Sequence, residues 1–241
     1  AEAVRVYRDE FSAVQGGEIG ISLNADWRQP RNPDSEDDVK AAQRAMEFSL
    51  GWFADPVHRG DYPACMREAC GDRLPAFTAE ERALLKDSSD FFGLNSYSSN
   101  FATSVRKELQ GGGYWEDIGS EWWHTDKNWE RTDMGWPIVP WGLRELLLYV
   151  HARYAPRNGI VVTENGCAKE PEASAELDQR PAALEPRPWA GGPEDLERET
   201  FDDPERTRFF RAHLSAVHAA RSRGADVRGY FAWSFLDNFE W

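Results

Sequence analysis

Four short apolar runs stand out along the chain, each bounded by Gly, Asn or Asp: GEIGISLN (17–24), DFFGLNSY (90–97), GIVVTENG (159–166) and VRGYFAWSFLDN (227–238). β-Branched and aromatic residues are frequent in all four. Their apolar residues are nearly continuous and do not alternate with polar ones. This pattern predicts strands that are buried on both faces.

Helical patterns fill the intervals between these runs. An amphipathic pattern opens the chain at AEAVRVYRDEFSAV, and others follow over 36–51, 141–154 and 204–223. The last of these begins with Pro204, a residue that suits the first turn of a helix. Helix and strand therefore alternate four times, which predicts an α/β fold with a parallel sheet.

Two architectures suit such a sheet, an open doubly wound sheet and a closed (βα)8 TIM barrel. An open sheet is expected to carry a glycine-rich phosphate turn, and neither GxGxxG nor GxxxxGK[ST] occurs here. Polar and aromatic residues instead follow the apolar runs, as at the carboxyl ends of barrel strands that form an active site. Four such units make half a barrel. Since the chain opens inside a helical pattern without Met, we expect it to be cut from a longer protein.

Two connections are long. Residues 98–135, together with the adjacent Trp136, hold five of the eleven Trp residues, which suggests a lid or the wall of a pocket. Residues 167–203 are rich in Pro, Glu and Ala and poor in aromatic residues. This composition predicts a mobile surface insertion.

The formal net charge of −14 argues against nucleic acids and anionic membranes as partners, because both are negatively charged. The sequence has no apolar run of membrane-spanning length and no signal-peptide pattern. Its three cysteines, Cys65, Cys70 and Cys167, give neither a disulfide framework nor a zinc pattern. Sparse cysteine favours a reducing compartment such as the cytoplasm.

Glu164 is the strongest candidate for chemistry. Hydrolysis of a glycosidic bond generally needs two flanking carboxyl groups, and in the retaining version, with about 5–5.5 Å between them, one attacks the sugar. Glu164 ends a buried strand and is followed by Asn-Gly, which lets the backbone turn away. The alternative is an ordinary loop start with a solvated surface carboxylate.

Two other strand ends support the reactive interpretation. Tyr97 could donate a hydrogen bond that holds a carboxylate, and Asn95 could bond a sugar hydroxyl. In the last run, a carboxylate at Glu240 could grip sugar hydroxyls while Trp233 and Trp241 pack against the pyranose. Alternatively Tyr97 is a solvated strand-end aromatic and the last run is a core strand. For Phe235, Leu236 and Phe239 we expect core positions.

These runs together resemble the successive signatures of glycoside hydrolase family 1, the β-glucosidase family. The similar segments are DFFGLNSY, MGWPIVPWGLRELLLYV, IVVTENG and GYFAWSFLDNFEW, and GEIGISLNADW resembles the family's fifth strand. The resemblance covers nearly the whole chain in the correct order. It implies that residues 1–241 are the C-terminal half of one TIM-barrel catalytic domain, roughly strands five to eight, with the insertion at 167–203.

For the reaction, the resemblance implies that Glu164 is the nucleophile that forms a covalent glycosyl-enzyme intermediate. Tyr97 matches the tyrosine that orients this nucleophile, and Asn95 belongs to the same polar group at the strand end. No metal or organic cofactor is expected.

For the substrate, the resemblance assigns Glu240 to the far hydroxyls of the non-reducing sugar, with Trp233 and Trp241 stacking beside it. Trp136 matches a wall of the leaving-group site. The Glu240-Trp241 pair differs from the family's phospho-sugar branch, which has cation-binding and hydroxyl residues in this region. A carboxylate at Glu240 would repel the phosphate of such a substrate. The expected substrate is a β-glucoside or oligosaccharide.

One departure is important: the family's acid/base glutamate lies in an Asn-Glu-Pro motif, and this tripeptide is absent here. We expect that acid in a missing N-terminal half, so that the intact protein is a retaining β-glycosidase and this chain alone is inactive. Two alternatives stay open: a thioglucosidase or inactive relative, and a non-catalytic sugar-binding half-barrel. The sequence does not indicate an oligomeric state.

Overall fold

The computed structural model describes residues 1–105, 113–169 and 203–238. Its α-helices are α1 (Glu2–Val6), α2 (Ser12–Gln15), α3 (Glu36–Met46), α4 (Trp52–Arg59), α5 (Ala64–Cys70), α6 (Ala79–Leu85), α7 (Tyr114–Ile118), α8 (Pro140–Tyr154) and α9 (Pro204–Ser222). The π-helical turns Tyr7–Phe11 and Glu47–Gly51 join α1 to α2 and α3 to α4, and a 3-10 turn, Gly71–Arg73, follows α5. The strands are β1 (Ile21–Asn24), β2 (Trp27–Pro30), β3 (Phe92–Asn95), β4 (Ser99–Ser104), β5 (Ser120–His124), β6 (Ile160–Asn165) and β7 (Val227–Ala232).

The four predicted strands form one parallel sheet in the order β1-β3-β6-β7. Each is shorter than its apolar run, because the run continues into the polar turn that leaves the sheet. The carboxyl ends of all four strands therefore meet at one edge, as predicted. The α/β fold with a parallel sheet is confirmed.

A layer of helices buries one main core against this sheet. Leu94 and Val162 from the strands pack with Leu146 and Val150 of α8, and all four are fully buried. Three of the longer helices begin at residues suited to that place. Ser35 caps α3 by accepting a bond from the backbone N–H three residues on, and α8 and α9 begin with Pro. Burial of these apolar side chains supplies the main drive for the fold.

The sequence analysis did not predict a second sheet of β2, β4 and β5, which packs against α3. β4 and β5 come from the connection 98–135, so this connection carries regular structure with a small core of its own, in which Ile118 is fully buried. The sheet also touches α8, because a Cβ added to Gly142 would lie 1.9 Å from Ser99 Oγ. The Trp-rich connection is therefore better described as a small layer than as a bare lid.

The described strands do not close into a barrel, since β1 and β7 remain as edges of the four-stranded sheet. Both edges carry exposed apolar side chains, with Ile21 44% and Phe231 61% exposed. The prediction that Phe235 and Leu236 are core residues is wrong for this chain. Their side chains are 97% and 72% exposed, and no described strand packs against them.

Two of the predictions about the fold fall outside the described ranges. The insertion at 167–203 is described only at 167–169 and 203, and Phe239 lies beyond the last described residue. Both stay predictions. Among the helices that the structure does describe, none is both long enough and apolar enough to cross a bilayer.

Candidate functional site

The site is built where β3 and β6 end side by side. Asn95 pairs with Glu164 in register, and the pairing slips by one residue just before them, after Leu94 opposite Val162. A bulge of this kind re-aims the side chains that follow it. Beyond the strand, the Tyr97 hydroxyl donates a hydrogen bond to the Glu164 carboxylate. The two residues are 67 positions apart in the sequence, and the sheet brings them together.

Backbone bonds fix the segment that carries Glu164 from both sides. The N–H of Ser96 donates to the carbonyl of Glu164 at 3.0 Å, and the N–H of Trp233 donates to the carbonyl of Asn165 at 2.9 Å. Gly166 continues this close approach, because a Cβ added there would lie 1.9 Å from the Trp233 carbonyl oxygen. The Glu-Asn-Gly sequence is thus required locally: only glycine allows the chain after β7 to pass so near.

Two side-chain bonds strengthen the same junction. Thr163 donates from its hydroxyl to Asn95 Oδ1 at 2.5 Å, which leaves the amide N–H2 of Asn95 to face other partners. Asn165 is buried and donates to the Ser96 carbonyl at 2.7 Å, while it accepts from the Tyr230 hydroxyl at 2.6 Å. Neighbouring strands are therefore tied at their ends by neutral polar groups, which cost little to bury once they are paired.

Asp26, which sequence reasoning did not single out as a site residue, holds the turn that carries Tyr97. Its Oδ1 accepts from the backbone N–H groups of Tyr97 at 3.0 Å and Ser98 at 2.9 Å. Asp26 lies just after β1, so a third strand end contributes to the site. The sequence did contain one signal for Asp26: it is an acidic residue that closely follows an apolar run.

Trp136 stands next to Tyr97, with the ring centroids 5.7 Å apart and an interplanar angle of 60°. A tight turn presents it, because Thr132 and Trp136 exchange hydrogen bonds through the Thr132 N–H and hydroxyl. The Ser98 hydroxyl also donates to the Pro137 carbonyl at 2.8 Å, which fixes this turn against the end of β3. Trp136 therefore borders the same edge as Glu164.

Five of the seven predicted site residues can be placed. Asn95, Tyr97 and Glu164 meet directly, Trp136 contacts Tyr97, and Trp233 touches the Asn165–Gly166 backbone from the side of β7. Glu240 and Trp241 lie outside the described residues, so their placement stays a prediction.

The chemical character of the site follows from these contacts. Glu164 is half-buried and receives its hydrogen bond from a neutral phenol, so a carboxylate there keeps an oxygen available to attack an electrophilic carbon. Hydrolysis by this route would need a second carboxyl group. Within the described ranges, no three His, Cys, Asp or Glu side chains are grouped so that they could hold a metal ion.

Comparison with known proteins gives a consistent set of relatives. The sequence profile described as glycosyl hydrolase family 1 matches residues 1–181 and 190–241, so only 182–189 fall outside it. β-Glucosidase 4 from Oryza sativa subsp. japonica is 41% identical over 258 residues, which cover 100% of this chain and 46% of the relative. β-Glucosidase 1B from Phanerodontia chrysosporium is 40% identical and matches 100% of this chain and 40% of the relative.

Solved structures agree with the sequence matches. A rice Os3BGlu6 β-glucosidase superposes with a TM-score of 0.81 and 35% identity, over 99% of this chain and 47% of that one. An aphid myrosinase gives a TM-score of 0.78 and 30% identity, over 100% of this chain and 48% of that one. The chain therefore spans less than half the length of each of these four relatives.

Proposed function

The chain belongs to glycosyl hydrolase family 1. We propose that it forms the C-terminal half of a retaining β-glycosidase whose preferred substrates are β-glucosides. In this proposal the four parallel strands are strands five to eight of a (βα)8 barrel, and residues 167–203 form an insertion in it. The relatives named as β-glucosidases support the class of substrate. The hydrogen bond from Tyr97 to Glu164 is the observation that carries the assignment of the site.

The reaction has two steps. Glu164 attacks the anomeric carbon of a β-glucoside, while an acid in the N-terminal half protonates the leaving oxygen. The resulting glycosyl ester on Glu164 is then hydrolysed by water, with the same acid now acting as base. Tyr97 positions the attacking carboxylate through the hydrogen bond that its hydroxyl donates.

The remaining site residues bind the sugar. Asn95 offers its amide N–H2 to a hydroxyl near the nucleophile, and Trp136 forms a wall for the leaving group. Trp233, Glu240 and Trp241 hold the non-reducing sugar by stacking and by a carboxylate that accepts from two hydroxyls. No metal or organic cofactor takes part in this scheme.

The decisive test is covalent labelling of the full-length enzyme with an aryl 2-deoxy-2-fluoro-β-glucoside. We expect one sugar per molecule, attached at Glu164 in a peptide that spans β6. Glu164→Gln should take up no label, because an amide cannot attack. Glu121→Gln, the same change on β5, should label fully. Attachment to any other residue would refute the proposal.

A thioglucosidase is the second candidate, favoured by the likeness to the aphid myrosinase. Both enzymes would form the intermediate on Glu164, so labelling does not separate them. The ratio of turnover on matched O-aryl and S-aryl glucosides does, since only the O-glucosidase needs a strong acid at the leaving atom. An acidic residue before Pro at the end of the fourth strand supports the O-glucosidase, and Gln there supports the thioglucosidase.

A non-catalytic sugar-binding half-barrel is the third candidate. The exposed edges β1 and β7 would drive the isolated chain to pair with itself or to aggregate. We therefore propose that the chain without its N-terminal half hydrolyses no glucoside. Turnover of an aryl β-glucoside by the monomeric chain, abolished in Glu164→Gln, would overturn this statement.

A further inference from the structure

Arg206 lies in the first turn of α9, and the N-cap residue of this helix orients its side chain. The N-cap residue Asp203 accepts from the Arg206 backbone N–H at 2.8 Å, and its other oxygen pairs with Nη1 of the guanidinium at 2.7 Å. Burial by itself raises the pKa of Asp203, but its hydrogen bonds to Arg206 and the adjacent charge lower the pKa overall. One carboxylate thus both caps the helix and orients the arginine.

The far side of the same guanidinium reaches two loops. Nη2 lies 3.0 Å from Asp237 Oδ1 and donates to the Lys169 carbonyl at 3.3 Å, and Nε donates to the Cys167 carbonyl at 3.4 Å. Cys167 and Lys169 follow β6, whereas Asp237 follows β7. These contacts border a cavity of about 700 Å³ that Trp233 also lines.

We propose that Arg206 is a positioning residue that sets the sugar-binding loop after β7 relative to the loop that follows the nucleophile at the end of β6. This inference rests on the proposed function. Cys167 stands three residues after Glu164, and Asp237 stands three residues before Glu240. A single planar guanidinium joins the two segments at residues that are close in the sequence to Glu164 and to Glu240.

The geometry of the side chain explains why arginine is needed here. Its donors leave a flat fork in fixed directions, so it can bond Asp203, Asp237 and two carbonyls at once. Lysine would keep the charge but present its donors from one atom. Methionine, an apolar side chain, would lose all of these hydrogen bonds. The side chain is 27% exposed, so these bonds are less screened by solvent than those of a fully exposed pair.

A purely stabilising role gives a different expectation. If Arg206 only held α9 in place, its loss would lower the activity on all substrates by the same factor. If it sets the sugar-binding loop, its loss changes how well the enzyme discriminates at the far end of the sugar. An aryl β-xyloside lacks the hydroxymethyl group that a β-glucoside carries there. The ratio of kcat/KM for glucoside over xyloside therefore separates the two roles.

The test uses the full-length enzyme and the variants Arg206→Met, Arg206→Lys and Asp237→Asn, with Arg208→Met as the matched control on the exposed side of α9. We expect Arg206→Met to lower the glucoside-to-xyloside ratio about tenfold, mainly through KM for the glucoside. Asp237→Asn, which removes the negative charge from one exposed contact, should lower it about threefold. Arg206→Lys should fall between wild type and Arg206→Met, and Arg208→Met should not change it.

The outcomes are distinct. A ratio that stays constant in Arg206→Met and Asp237→Asn overturns the inference, even where total activity falls. If Arg206→Met does not fold, the result for Asp237→Asn alone decides, because that variant keeps the arginine. A wild-type enzyme that hydrolyses neither glucoside defeats the proposed function itself, whereas active wild type with an unchanged ratio defeats only the role of Arg206.

Discussion

Carboxylates are paired in opposite ways in two regions of this molecule. Under α8, Glu47 and Asp55 are buried and share one cation: Arg153 lies 3.0 Å from Glu47 Oε1 and 2.6 Å from Asp55 Oδ2. At the end of β6, Glu164 is half-buried and accepts from the neutral hydroxyl of Tyr97. The first region uses its charges to hold helices together, and the second leaves a charge available.

Each carboxylate oxygen of Glu47 and Asp55 has a hydrogen-bond partner. Tyr154 donates to Asp55 at 2.7 Å, and Cys65 donates to Glu47 at 2.8 Å. Burial would lower the pKa of Arg153, but its bonds to Asp55 and the surrounding charges raise it, so the arginine stays charged. Buried charges persist only under such compensation. The carboxylate of Glu164 is surrounded differently: Tyr97 orients it, and within the described ranges no salt bridge to a cation holds it.

The same substitution in both regions should therefore have opposite results. Glu164→Gln should lower kcat on an aryl β-glucoside at least about ten-thousandfold, or roughly 5.5 kcal/mol, because it removes the nucleophile. Its free energy of unfolding in urea should change by less than about 1 kcal/mol. Glu47→Gln should leave kcat of the folded enzyme unchanged and destabilise it by about 2 kcal/mol, since it removes one charge of a buried pair. Similar behaviour of the two variants would break the comparison.

Removing the shared cation tests the stabilising side directly. Arg153→Met should lower the free energy of unfolding by about 3–5 kcal/mol, because it leaves two buried carboxylates without a counterion. Urea unfolding followed by far-UV circular dichroism measures this. Arg144→Met on the same helix, where the pairing is with the adjacent residue Glu145, should cost less than about 1 kcal/mol. Equal costs would mean that the buried network adds nothing beyond a surface pair.

Sequence patterns could predict the strands and the reactive edge, because each strand is a continuous apolar run that ends in polar residues. Parallel pairing then brings such ends together without further information, as Tyr97 and Glu164 show. The buried network gave no such signal. Glu47 and Arg153 are 106 positions apart on helices whose relative rotation depends on side-chain packing.

The second sheet and the loop contacts were beyond sequence reasoning for a related reason. β2, β4 and β5 are short and half-buried, so polar residues interrupt their patterns. The roles of Asp26 and Arg206 depend on which backbone groups stand nearby, and those are set only once the sheet has formed. Likewise Phe235 and Leu236 carry a core-like pattern, and it is the lack of a partner strand that leaves them exposed.

Tyr97→Phe tests the reactive side with a smaller change. It removes the only hydroxyl that contacts Glu164 within the described ranges and keeps the ring beside Trp136. We expect kcat to fall about tenfold to a hundredfold, because the carboxylate loses the donor that orients it. The rate of 2-fluoro-glucoside labelling should fall by the same factor, with the final stoichiometry unchanged. An unaltered labelling rate would show that the hydroxyl does not position the nucleophile.

The smallest change concerns the thiol at the rim of the buried network. Burial raises the pKa of Cys65, and its bond to Glu47 raises the pKa further, so the thiol stays protonated and acts as a donor. Cys65→Ala should lower the free energy of unfolding by about 1 kcal/mol, the usual net contribution of one hydrogen bond. Cys70→Ala is the matched control on the same helix, since its contact with Asp117 is long, at 3.6 Å, and should cost less. If Cys65→Ala is as stable as the wild type while Arg153→Met is not, Glu47 is held by the cation alone, and the contrast with the phenol-bound Glu164 becomes sharper still.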